Sequence, residues 1–179
     1  MLTPEPIVLP AAALAEAKAY LRAGSSDEDG LIAGTVRSAA ECCEQFTRRA
    51  LIARGFEELL PAGPGWQRLS AAPVVAISGV EAVPADGPTF ALAAGDYAID
   101  IDAAGEGWVR VIAPGEAKRV RVTYQAGLAA DWASTPEALR QGVLRLAGHL
   151  YSHREDDGAL GPPAAVAALW RPWRKLRLR

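Results

Sequence analysis

The sequence has little of what enzymes and disulfide-stapled domains depend on. It holds two histidines, one methionine and two cysteines in 179 residues. The cysteines, Cys42 and Cys43, are neighbours. Adjacent side chains on a helix diverge by about 100°, so geometry disfavours a disulfide between them, and a reduced compartment is expected. The longest uncharged run, Gly158 to Trp170, is 13 residues and contains Gly161, Pro162 and Pro163. It is too short and too broken to span a bilayer. The opening MLTPEPIVLP lacks the basic and apolar regions of a secretory signal, so none is expected. Internal repeats are absent, and alanine richness is the one compositional bias.

Acid is also missing from one place. All 21 acidic residues precede Trp170, with only 14 of the 19 Lys and Arg, so residues 1–169 carry −7. The last nine residues carry +5. The charge pattern is that of an acidic body with a basic arm, and such an arm implies a partner. Half of the residues are apolar and 22% are charged, which is the composition of a folded chain. The length suits one domain with a real core.

Two helices are expected first. In LPAAALAEAKAYLRAG, Leu14, Ala17 and Leu21 share a face, and Gly24 is a stop signal. Ser25 and Glu28 have capping-box spacing. Ile32, Val36, Ala39, Cys43, Phe46 and Ala50 then form one apolar stripe, with Arg37, Glu41, Glu44 and Arg48 on the other side. After Gly55 the texture changes. PVVAISGVEAV, TFALAAGDYAID (interrupted by Gly95), GWVRVI and KRVRVTYQAG read as strands cut by Gly, Pro and Asp. In the last, Val120, Val122 and Tyr124 alternate with Arg119, Arg121 and Thr123, giving an apolar and a basic face. Helix returns in STPEALRQGVLRLAGHLYSHRED, with Thr135 as expected N-cap, Pro136 next, and a stripe of Leu139, Val143, Leu146 and Leu150. A short helix, PAAVAALW, is broken by Pro172. The fold class is therefore α+β: a mainly helical core from both ends of the chain, with a central antiparallel β insertion at about 56–126. The expected organisation is a single domain over 1–169 and a basic arm over 170–179.

Catalytic and metal constellations are weak. His149 and His153 are spaced to share a helix face, but HLYSH lacks the Glu of a zinc-protease motif. Glu155, Asp156 and Asp157 are the available further ligands, at the end of that helix. No metal, cofactor or enzymatic activity is expected. AISGV around Ser78 is not a nucleophile elbow, and GEGW at Gly105–Trp108 is not a phosphate loop. Cys43 falls on the buried stripe and Cys42 beside it, where a thiolate is not activated. Asp100 with Asp102, and Asp156 with Asp157, read as loop solvation.

The basic features carry more. Lys118, Arg119 and Arg121 line one strand face, either as solvated charges that protect the edge or as a locally basic contact surface. Trp170, Arg171, Trp173, Arg174, Lys175, Arg177 and Arg179 alternate anchors and cations in a segment suited to docking in a groove of another protein. The bland alternative is that the tryptophans pack on the chain's own helices. A second functional reading is a small DNA-binding module using the arm, which the −7 body opposes.

Several stretches together carry a resemblance. They are LAEAKAYLRAGSSDEDGLIAGTVRSAAECCEQFTRRALI, LSAAPVVAISGVEAV, GDYAID, VRVTYQAGLA, TPEALRQGVLRLAGHLYSHRE and AVAALWRPWR. In order and spacing the chain resembles the head–tail connector (adaptor) proteins of long-tailed bacteriophages, prophages and gene transfer agents. It departs from their pattern at its close, where KLRLR follows the L-x-x-W-R element. The resemblance implies a structural protein of the virion neck, assembled in the bacterial cytoplasm. It implies a ring of twelve copies beneath a portal protein, with a neck or tail protein on the other side. DNA would pass through the bore without sequence specificity, and no membrane would be involved. The arm would then be the portal-docking segment, and Lys118, Arg119 and Arg121 would contact a ring neighbour or the channel. Each subunit of a ring must present two different lateral surfaces.

Overall fold

The computed structural model of the chain describes residues 1–153 and 161–175. It contains both helices and antiparallel sheets, an α+β fold, and separates into two compact units. One unit combines Met1–Pro6 with Ala53–Leu128, and the other Ile7–Ile52 with Ala129–Arg179.

The β unit holds eight strands in two sheets. The larger sheet contains β1 (Leu2–Pro4), β2 (Arg54–Pro61), β8 (Arg119–Ala126), β4 (Val74–Val83) and β5 (Phe90–Ala91), in that spatial order. The smaller runs β3 (Gln67–Arg68), β7 (Gly107–Val111), β6 (Tyr97–Ile101). Every strand pairing is antiparallel. β8 is central because its period of two is unbroken: Val120, Val122, Tyr124 and Ala126 are buried while the residues between them are not. β1, in a stretch without a strand signal, adds at the edge of β2. The TFALAAGDYAID stretch splits at its glycine into β5 and β6, which lie in different sheets.

Glu58 follows the buried alternation of β2 and is only 4% exposed. Its carboxylate accepts from the Tyr124 hydroxyl (3.0 Å), the Ser70 N–H (2.8 Å) and the Ser70 hydroxyl (2.5 Å). Three donors compensate the loss of hydration. Tyr124 also stacks on Phe56, with ring centroids 5.6 Å apart.

In the helical unit, α1 spans Ala11–Leu21, α2 Asp29–Thr47, α3 Glu137–Ser152 and α4 Ala164–Trp170. α3 packs against the other three. It tolerates two interior glycines because large rings occupy the space: Gly142 faces Trp170 and Gly148 faces Tyr20. The stripe of α2 is buried at Ile32, Val36, Ala39 and Cys43, with Phe46 half-buried.

The helix ends differ from the expected signals. α1 ends at Arg22 (φ 57°), not at Gly24, and the Ala23 N–H closes back on the Lys18 carbonyl. α2 ends at Arg48, also left-handed at φ 58°. The Ser25–Glu28 capping box does not form. The Ser25 hydroxyl instead donates to Asp27, and α2 starts at Asp29, whose carboxylate meets Lys18 at 2.5 Å. Thr135 donates to the Asp131 carbonyl, leaving Pro136 as the N-cap of α3. At Ser25 and Thr135 a turn partner within reach replaced the local cap.

Candidate docking surfaces

The basic segment begins at the end of α4. Trp170 is fully buried in the helical unit. Its indole N–H donates to the Leu139 carbonyl (3.3 Å), and its ring lies 5.8 Å from that of Phe46. Trp170 is thus a core residue of the helical unit and the root of the segment. Burial removes a large apolar ring from water, and the indole N–H keeps a hydrogen-bond partner.

Beyond Trp170 the chain makes a 3-10 turn over Arg171–Trp173. Trp173 is half-buried, and Arg171 and Arg174 are exposed. The Arg174 guanidinium lies over the Phe46 ring at 5.4 Å, a cation–π distance. The Lys175 N–H donates to the Thr47 carbonyl at 2.9 Å. Residues 171–175 thus run beside the C-terminal end of α2, where the helix dipole favours cations. Exposed Arg48 adds to that charge. Arg177 and Arg179 lie outside the described residues.

The second basic group divides. Arg121 stands on the solvent side of the large sheet, opposite Glu81 in the register. It meets the Glu81 carboxylate at 3.4 Å and that of Glu57 at 3.9 Å. Its charge is compensated within the sheet, and all three side chains are partly exposed, so the network adds little stability. Lys118 and Arg119 are exposed, and among the described residues neither forms an ion pair. Sequence reasoning missed the acidic partners of Arg121, because Glu57 and Glu81 lie on strands distant in sequence.

The remaining chemical candidates do not assemble. His149 and His153 are exposed, with ring centroids 4.3 Å apart. The His153 ring nitrogen Nδ1 lies 3.0 Å from the His149 carbonyl. Among the described residues no three His, Cys, Asp or Glu side chains are grouped to hold a metal. Glu155, Asp156 and Asp157 lie outside them. Burial pushes the Cys43 thiol far up, with Glu44 and Cys42 adding to it, and raises Cys42 as well. Both are therefore protonated, poor nucleophiles. Asp102 is consumed by its turn: it accepts from the Ala104 and Glu106 N–H groups and from the Trp108 indole. Among the described residues no helix is long and apolar enough to cross a membrane.

Solved chains are similar over the full length. A chain in the neck of an empty gene transfer agent particle, computed with C6 symmetry, is 31% identical with a TM-score of 0.79; the match covers 100% of this chain and 97% of that one. A chain in the virion of a native gene transfer agent particle is 31% identical with a TM-score of 0.76 at the same coverage. A third, in the neck of a native particle computed with C12 symmetry, is 30% identical with a TM-score of 0.76, again over 100% and 97%. No family model and no curated protein matches the chain. Similarity from end to end to these components defines a class of structural proteins of such particles. The chain belongs to the neck proteins of phage-like gene transfer agent particles.

Proposed function

We propose that the chain is the head–tail adaptor of such a neck. Twelve copies close a ring beneath the portal, extend its DNA channel and offer a platform to the neck or tail protein that follows. The observation that carries this reading is full-length similarity to chains in necks solved with C12 and with C6 symmetry. A twelve-membered ring satisfies both symmetries, as twelve units or as six pairs. DNA passes the bore without sequence specificity, through contacts with the phosphate backbone alone.

The portal-docking segment in this reading is Arg171, Trp173, Arg174, Lys175, Arg177 and Arg179, with Trp170 holding its root. One arm binds weakly, and twelve binding together gain avidity. The test keeps Trp170 in place, since removing it attacks the core. A chain truncated after Lys175 and carrying Arg171→Ser, Trp173→Ser and Arg174→Ser is mixed with portal rings and imaged. Loss of portal association with an unchanged monomer is expected. Full occupancy of the portal would remove the segment from this role, and a ring of other than twelve would remove the stoichiometry.

A further inference from the structure

The two sheets treat their edges differently. β1 is three residues long and ends at Pro4, and β5 is two residues long. Short strands and proline are common ways to blunt an edge. β6, the outer strand of the smaller sheet, has five residues, YAIDI, without Pro or Lys. Its side chains Ile99 and Ile101 are 44% and 39% exposed.

The ladder shows which backbone groups face out. The Val111 N–H donates to the Gly63 carbonyl, and the Gly107 carbonyl accepts from Leu69. Odd-numbered residues of β7 therefore direct their backbone away from β6. Their opposites in the register, Tyr97, Ile99 and Ile101, direct theirs away from β7. The outward N–H and C=O groups thus lie beside the partly exposed isoleucines, with exposed Asp100 between these in sequence, while β4 of the larger sheet also comes close to β6.

A cationic counterpart lies elsewhere on the same unit. Lys118 and Arg119 follow the 112–117 loop, whose Ile112 is 54% exposed. That loop leaves from the Val111 end of β7, opposite Tyr97, whereas Asp100 and Ile101 are at the far end of β6. Five residues of strand separate these ends by about 13 Å. The two patches do not neutralise each other within one copy.

We propose that the open edge of β6 is the lateral surface that receives the next copy of the chain, and that the Ile112–Arg119 corner of that copy is what docks there. The proposal rests on the ring reading. A ring needs two different, complementary surfaces on every subunit. An apolar edge with Asp100 and a corner where exposed Ile112 stands with Lys118, Arg119 and one acid, Glu116, a net positive charge, meet that need. β-Edge addition supplies main-chain bonds, and the charge pair sets the register.

The test uses the full chain in assembled particles, with a photo-crosslinking residue in place of Ile99. Irradiation should give chain–chain dimers whose linked peptide maps to residues 112–121 of a second copy. Links confined to the same chain, or to another protein, would overturn the proposal. In a second arm, Asp100→Lys should lower the copies incorporated per particle at least 10-fold at unchanged melting temperature. Adding Lys118→Glu and Arg119→Glu to that chain should restore incorporation, and failure to restore it counts against the pairing. Imaging of the unaltered chain separates the two levels. A ring without the 99-to-112–121 link sinks this interface alone, and the absence of any ring sinks the proposed function.

Discussion

Gly142 and Trp170 are a matched pair: a Cβ at Gly142 would lie 2.0 Å from the Trp170 indole nitrogen. A glycine inside a helix ordinarily costs about 1 kcal/mol against alanine. Here it makes room for an indole that ties α4 to α3. Gly142→Ala should therefore destabilise the chain, reversing the usual sign. Trp170→Ala should cost about 3–5 kcal/mol, the range for truncating a buried aromatic. Urea unfolding of both variants checks this, and a stabilised Gly142→Ala would contradict the packing.

Arg22 ends α1 in the left-handed region, at φ 57°. A side chain there costs roughly 1–2 kcal/mol, which glycine avoids. Arg22→Gly should raise stability by about 1 kcal/mol, seen as a higher denaturation midpoint at constant slope. Because Arg22 is exposed, no lost packing should mask the gain.

The buried Glu58 depends on its donors. Burial raises the Tyr124 phenol well above its usual range, so it stays protonated and donates. Tyr124→Phe removes one donor and leaves the carboxylate short of a partner. A cost of about 1–3 kcal/mol is expected. Adding Glu58→Gln to the Tyr124→Phe chain should cost less than it does alone, a coupling that a double-mutant cycle measures.

Acid should loosen the entry to α3. Asp131 accepts from the Ser134 hydroxyl and N–H, both at 2.7 Å, and these bonds hold its carboxyl below the usual range. Glu137 is lowered likewise by Gln141 and Arg140. A carboxyl depressed in the folded state contributes stability above its unfolded pKa and loses it as pH falls through the folded one. The loss therefore falls below about pH 4. Melting curves from pH 6 to pH 2 should steepen less for Asp131→Asn than for the unaltered chain. Parallel curves would mean that the turn contributes nothing.

Much of the fold was legible from periodicity. The α2 stripe, the alternation in β8 and the Gly and Pro breaks placed the helices and the longer strands close to where they lie, though not β1. Alternation in FEELL also put Glu58 on the apolar side, a signal available in the sequence and easily overlooked because glutamate is seldom buried. Helix ends were less legible. Ser25 and Thr135 each had a competing partner nearby, and Arg22 and Arg48 occupy a conformation that their residue type does not advertise.

The basic segment marks the division most clearly. Charge, alternation and helical stripes are local properties, so the order of residues alone established an α+β body with a cationic end. Whether a tryptophan is an anchor or a core residue depends on what lies across from it. Gly142, 28 positions earlier, makes the space that Trp170 fills, and Glu57 and Glu81, from distant strands, are the acids that meet Arg121. Contacts of that kind exist only once distant segments share a surface, because burial and charge compensation are properties of neighbours in space.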